Sequence, residues 1–287
     1  MKPTNKASID KAYLKAYQEI KRQADQECVR LALERLSPDE RESLSKEFLI
    51  GGEQAKQFIN YLEYRGSPAN PFQMQAIREG FSIIFDDKED LKNRVEVAAN
   101  VWGSLEDNTR QDYCFWAYGN IYRLPNEVFS KILIDTHQRG KVHSLLSAFD
   151  LALRVDMFER AKPENIMEEL EYQRFLSLPE KLKIYRGGSG ITPNKLKYGM
   201  SWTTDQDRAT WFANRFPHLG KPIIIEAIVD KNNIFGCFDY EDEIIIRGGR
   251  VSQLKVCNID YVAYQQRWKE KCEEERDKNK ELLKMAA

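Results

Sequence analysis

Tyr240-Glu241-Asp242-Glu243-Ile244-Ile245-Ile246-Arg247-Gly248-Gly249 is the stretch on which the fold turns. Three β-branched residues follow an acidic triplet and stop at a glycine pair. That is the pattern of a short buried strand between two polar turns. Working outward, Pro222-Ile223-Ile224-Ile225-Glu226-Ala227-Ile228-Val229 is a second buried-strand run. Leu182-Lys183-Ile184-Tyr185 alternates and leads to Gly187-Gly188-Ser189-Gly190, which reads as a flexible turn. Val251, Leu254 and Val256 predict a return strand. One helix is expected at about 205–216, with Ala209, Trp211, Phe212 and Phe216 on its apolar side. The segment from Asn232 to Tyr240 reads as a loop.

Upstream of about residue 181 the texture is helical. Tyr13, Tyr17, Ile20, Ala24, Cys28 and Leu31 recur at steps of three and four and form one apolar stripe. Ser37-Pro38-Asp39-Glu40 has the form of a helix start: a capping hydroxyl, a proline at the first position and a carboxylate that reaches back. Further helices are expected at about 53–64, 72–86, 89–104, 126–139, 142–160 and 164–176. Pro125 and Pro163 mark starts and Gly140 marks a stop. Helices followed by clustered strands imply an α+β protein, with an all-helical domain over 1–180, a β-rich domain over 181–262 and a charged helix or tail over 263–287.

Composition restricts the function classes. The 287 residues carry a formal net charge of -1, so no global electrostatic drive toward nucleic acid or anionic membrane exists, and any basic groove must be local. No run of about 18 apolar residues is present, and the first residues lack the apolar core of a signal peptide. A cytoplasmic protein with no membrane association is expected. Cys28, Cys114, Cys237, Cys257 and Cys272 are scattered without a paired spacing, so no metal site is expected.

Three polar segments stand in order at predicted strand ends: Tyr185-Arg186-Gly187, then Gly199-Met200-Ser201-Trp202-Thr203-Thr204, then Glu241-Asp242-Glu243. In this order they resemble the Arg–Ser–Glu branch of the ADP-ribosyltransferase superfamily, which includes bacterial exotoxins and phage enzymes. There an arginine on the first core strand precedes a Ser-Thr-Ser-like segment and a Glu-x-Glu before a late strand. The glycine turn after Ile246 and Val251 extend the likeness. The branch with histidine in place of the arginine fits less well, because His137, His143 and His218 all lie away from the first strand. The resemblance covers about 80 residues. It implies a core of two packed sheets, NAD as substrate and no metal.

The residue types suit that chemistry. Breaking the nicotinamide–ribose bond builds positive charge on the ribose. A carboxylate about 4 Å away, at an effective dielectric near 20, interacts with that charge by roughly 4 kcal/mol, about a thousandfold in rate. The resemblance gives this role to Glu243, and to Glu241 the contact with the acceptor nucleophile. On an extended segment the two would share a face. Arg186 matches the arginine that holds the diphosphate, with Tyr185 and Gly187 beside it. Ser201, Thr203 and Thr204 are the hydroxyls that can orient ribose and carboxylate. Trp202-Thr203-Thr204 falls at the family spacing and Ser201 one place earlier, so the acting hydroxyl is open among the three. Phe238 and Tyr240 are aromatic candidates for contact with the acceptor.

Each piece has an ordinary reading as well. Tyr64-Arg65-Gly66 repeats the first motif in the helical half, where it reads as a helix end. Thr204 or Asp205 can simply cap the next helix. Trp202, Trp211 and Phe212 read as core. Together the pieces predict an enzyme that moves ADP-ribose from NAD to an intracellular protein or nucleic acid, as a toxin or a phage or anti-phage effector. The helical part would then be free to bind a target, an antitoxin or part of NAD. The alternatives are an NAD glycohydrolase, and a helical interaction protein with a degenerate transferase domain.

Overall fold

Asn70 shows how literally local signals are used. Its side chain accepts from the Gln73 amide at 2.9 Å, and the Gln73 side chain accepts from the Asn70 amide at 3.0 Å. This reciprocal cap, with Pro71 in the first turn, starts one helix of a computed structural model that describes residues 52–139, 151–260, 263–273 and 276. The apolar stripe from Tyr13 to Leu31, the helix start at Ser37, Gly140, His143 and the first part of the 142–160 helix lie outside the described residues. The chain divides into two compact units, Met1–Leu145 and Leu146–Ala287.

The described part of the first unit is helical: α1 (Gly52–Arg65), α2 (Pro71–Ile84), α3 (Leu91–Ser104), α4 (Asp107–Gly119) and α5 (Asn126–Arg139). Gly66, at φ 75°, ends α1 after Tyr64-Arg65. Its core is aromatic: Phe58 stacks on Phe81 at 5.6 Å, and Phe81 on Trp116 at 5.0 Å. The sequence reading missed α4. Arg110, Gln111 and Asp112 interrupt its aromatic stripe, yet Gln111 and Asp112 are buried with Tyr113.

The second unit holds α6 (Leu151–Arg160), α7 (Pro163–Ile166) and α8 (Glu169–Leu176), then β1 (Lys181–Ser189), α9 (Pro193–Leu196), β2 (Ser201–Thr203), α10 (Gln206–Asn214), β3 (Pro222–Asp230), β4 (Ile234–Phe238), β5 (Glu243–Ile246) and β6 (Ser252–Val256). A further helix runs over 263–273. The predicted 164–176 helix is therefore two, because Met167 and Glu168 adopt extended backbone. The helices before residue 181 belong with the strands: Met167 Sδ accepts from the Cys237 amide, and a Glu171 carboxylate oxygen accepts from the Asp239 amide at 2.9 Å.

The strands form one six-stranded antiparallel sheet in the order β4-β5-β2-β1-β3-β6. This corrects the expected pair of packed sheets. Its halves, β4-β5-β2 and β1-β3-β6, are joined by one register pair, Tyr185↔Thr203, because β2 is only three residues long. Two local readings also change. The segment before Tyr240 is the strand β4, covered by α6–α8, and the glycines after Arg186 continue β1 against β3.

Gly187 explains the docking of α10. A Cβ there would stand 1.9 Å from the Ala209 carbonyl oxygen, so only glycine lets the helix lie this close to the strand. The buried face of α10 is accordingly small, with Ala209, Thr210 and Ala213. Trp211 and Phe212 are only partly covered, which corrects their reading as core; Trp202 is core, 3% exposed.

Candidate functional site

The third motif begins with a strained turn. A 3-10 turn, Tyr240–Asp242, leads into β5, and within it Glu241 and Asp242 have φ of 61° and 49°. Such left-handed backbone costs an L-residue roughly 1–2 kcal/mol. The expected extended path from Glu241 to Glu243 is thus replaced by a kink. The two carboxylates still act on each other: burial first, then the charge of Glu243, raises the Glu241 carboxyl above its usual range, while Arg215 and Arg208 oppose this.

Glu243 opens β5 directly opposite Thr203 on β2, and Thr203 in turn stands opposite Tyr185 on β1. One lateral row therefore carries a member of each motif. Tyr185 is buried with Ala209, Ala213 and Ile224, which places it in the packing beneath α10. Thr203 is buried, and its hydroxyl accepts from the Asp205 amide at 3.1 Å. Thr204 is exposed. Asp205 caps α10 by accepting from the Asp207 amide at 2.7 Å.

Arg186 follows Tyr185 and donates from Nη1 to the carbonyl oxygen of Ser201, so the first two motifs are also joined by a side chain. Its Nε is buried with no hydrogen-bond partner. Burial lowers its pKa to about 10; the charge of Glu243 resists that drop and the charge of Arg154 adds to it. Gly199 lies against the guanidinium, and Trp202 Nε1 donates to the Gly199 carbonyl at 2.8 Å. Trp202 is therefore a buried pin for this loop. Ser201 and Thr203 flank it on the strand.

Arg154 on α6 escapes sequence reasoning, since nothing distinguishes it from the other charges of its helix. Its Nε is likewise buried without a partner, and burial lowers its pKa. A buried donor atom left without a partner is costly unless an anion completes it. Two such arginines beside one another suit a diphosphate, whose oxygens accept from guanidinium groups.

Two aromatic candidates fare differently. Phe238 is 1% exposed and its ring lies over Gly236, so it is core and cannot stack on an acceptor. The side chain of Tyr240 lies outside the described residues. Phe235 stacks on Phe158 at 5.6 Å. Among the described residues no group of three or more His, Cys, Asp or Glu side chains could hold a metal ion, and no helix is long and apolar enough to cross a membrane. Comparison of the chain with protein-family models, with curated proteins and with solved structures finds no match in any of the three.

Proposed function

We propose that the second unit cleaves NAD and passes ADP-ribose to a macromolecular acceptor. The observation that carries this is Arg186, half-buried, with its Nε buried and unpaired and the charges of Glu243 and Arg154 acting on it. A cation held ready for an anion beside a carboxylate is what NAD cleavage needs. The diphosphate takes the unpaired donors of Arg186 and Arg154. The carboxylate of Glu243 stabilises the ribose cation as the bond from its anomeric carbon to nicotinamide breaks. Nicotinamide leaves with the bonding electron pair, an acceptor nucleophile adds to the anomeric carbon, and the acceptor's proton passes to Glu241 or to water. The raised pKa of Glu241 suits proton transfer.

Burial of Phe238 favours a second reading, NAD hydrolysis, because it removes one aromatic contact for an acceptor. In either case the activity fits a toxin or an effector in phage attack or defence, with the helical unit free to bind a target or an antitoxin. The test is incubation of purified protein with NAD labelled in its ADP-ribose part, with and without cell lysate, RNase and protease. Label on protein or RNA supports transfer, and free ADP-ribose alone supports hydrolysis. Glu243→Gln should lower nicotinamide release by about a hundredfold or more. Full activity in that variant, or no NAD consumed by the wild type, overturns the proposal.

A further inference from the structure

We propose that Lys271, in the helix over 263–273, is a positioning residue of this site, bracing the turn that carries Glu241 against the loop that follows Thr203-Thr204. Its Nζ donates to Asp205, the cap of α10, and at 3.3 Å to Oδ2 of Asp242, between the two glutamates. One ammonium thus ties together the loops at the ends of β2 and β5, the strands on which Thr203 and Glu243 face each other. This rests on the NAD-cleaving reading for its consequence, but the brace is independent of it.

Three further contacts seat the helix. Arg267 pairs with Asp207 through two hydrogen bonds, 2.7 Å from Nε and 2.6 Å from Nη2. Trp268 stacks on Trp211 with ring centroids 6.1 Å apart and planes at 20°. Arg208 lies over Trp268 at 5.1 Å and also reaches Oδ2 of Asp242 at 3.5 Å. The segment over 263–273, which by sequence belongs to a charged helix or tail, is therefore fastened to α10 and to the acidic turn. The turn requires such holding. Glu241 and Asp242 both have left-handed backbone, which non-glycine residues keep only where surrounding contacts enforce it. Asp242 directly precedes Glu243, so its release would shift the start of β5 and the carboxylate there. Misplacement of about 1 Å at a reacting centre lowers rates by up to about a hundredfold.

The experiment compares wild type, Lys271→Met and Lys271→Arg in the full chain, following nicotinamide release from NAD and amide hydrogen exchange. Lys271→Met should lower kcat about tenfold, leave KM for NAD within about twofold, and raise exchange over residues 240–243. Lys271→Arg should recover most of the kcat. Wild-type kcat in Lys271→Met overturns the proposal. So does a loss of kcat that only matches the loss of folded protein measured by circular dichroism, or one that Lys271→Arg does not restore, either of which assigns Lys271 to folding alone. If the wild type releases no nicotinamide, the functional reading fails by itself. The exchange data then decide the brace, and unchanged protection of 240–243 in Lys271→Met overturns it.

Discussion

Gly199 lies directly against the guanidinium of Arg186: a Cβ at position 199 would stand 2.1 Å from Cζ, 2.3 Å from Nε and 2.4 Å from Nη2. The φ of Gly199 is not in the left-handed region, and the atoms an added methyl meets first are those of the arginine. Because Arg186 is held by the Ser201 carbonyl and its Nε is buried, the guanidinium must be displaced. Gly199→Ala should raise KM for NAD about tenfold, roughly 1.4 kcal/mol of binding, with a smaller change in kcat. Steady-state kinetics of nicotinamide release check this. An unchanged KM would mean that the guanidinium position does not matter to NAD.

The raised carboxyl of Glu241 makes a signed prediction. The folded protein holds this proton more tightly than the unfolded chain does, so ionising Glu241 costs stability. The cost is absent below the usual carboxylate range and complete once pH exceeds the raised value. Burial comes first among its causes, then Glu243, with Arg215 and Arg208 opposing. Glu241→Gln should therefore be more stable than wild type at pH 7 and equal to it near pH 3. Urea denaturation at the two pH values measures both terms. The same variant should lose transfer to the acceptor while retaining NAD cleavage.

How much of this was legible in the sequence depends on distance along the chain. β1, β3 and β5 are apolar runs bounded by glycine, proline or acidic residues, and the structure keeps all three. The residue types of the site were likewise visible, because each motif is contiguous. What stayed hidden depends on neighbours remote in sequence. β4 reads as a loop since Asn232, Asn233 and Gly236 are turn residues, and only its pairing with β5 and its cover by α6–α8 make it a strand. The face of α10 is hidden for the same reason: periodicity alone puts large side chains inside, whereas Gly187 calls for alanines. Arg154 and Lys271 are ordinary surface types until the fold brings one to Arg186 and the other to Asp205 and Asp242.

Trp202 separates the packing role from the chemical one. It is buried, and its indole donates to the Gly199 carbonyl. Trp202→Ala should destabilise the protein by about 3–5 kcal/mol, the usual cost of emptying a large aromatic site. Trp202→Phe keeps most of the volume but loses the bond to Gly199, so it should cost about 1–2 kcal/mol and raise KM for NAD through the loosened Gly199–Arg186 contact. Thermal unfolding combined with kinetics distinguishes the two. If Trp202→Phe abolishes kcat with no loss of stability, the indole acts on substrate and its assignment as a pin is wrong.

Arg154 gives the test that bears most directly on whether this is a site for an anion. Burial lowers its pKa, its Nε has no partner, and its charge also depresses Arg186. For a basic group the sign is opposite to that of a paired lysine. The folded state disfavours the cation, and this penalty applies at every pH below the lowered value, hence fully at pH 7. Arg154→Met keeps the aliphatic stem and removes the charge, so without ligand it should raise Tm by a few degrees. If the two arginines hold the diphosphate, the same change should raise KM for NAD about tenfold and abolish the stabilisation that NAD confers on the wild type. Gain of stability together with loss of ligand response is the mark of a group kept for function. A fall in Tm with unchanged KM would instead show that Arg154 supports only the packing of α6.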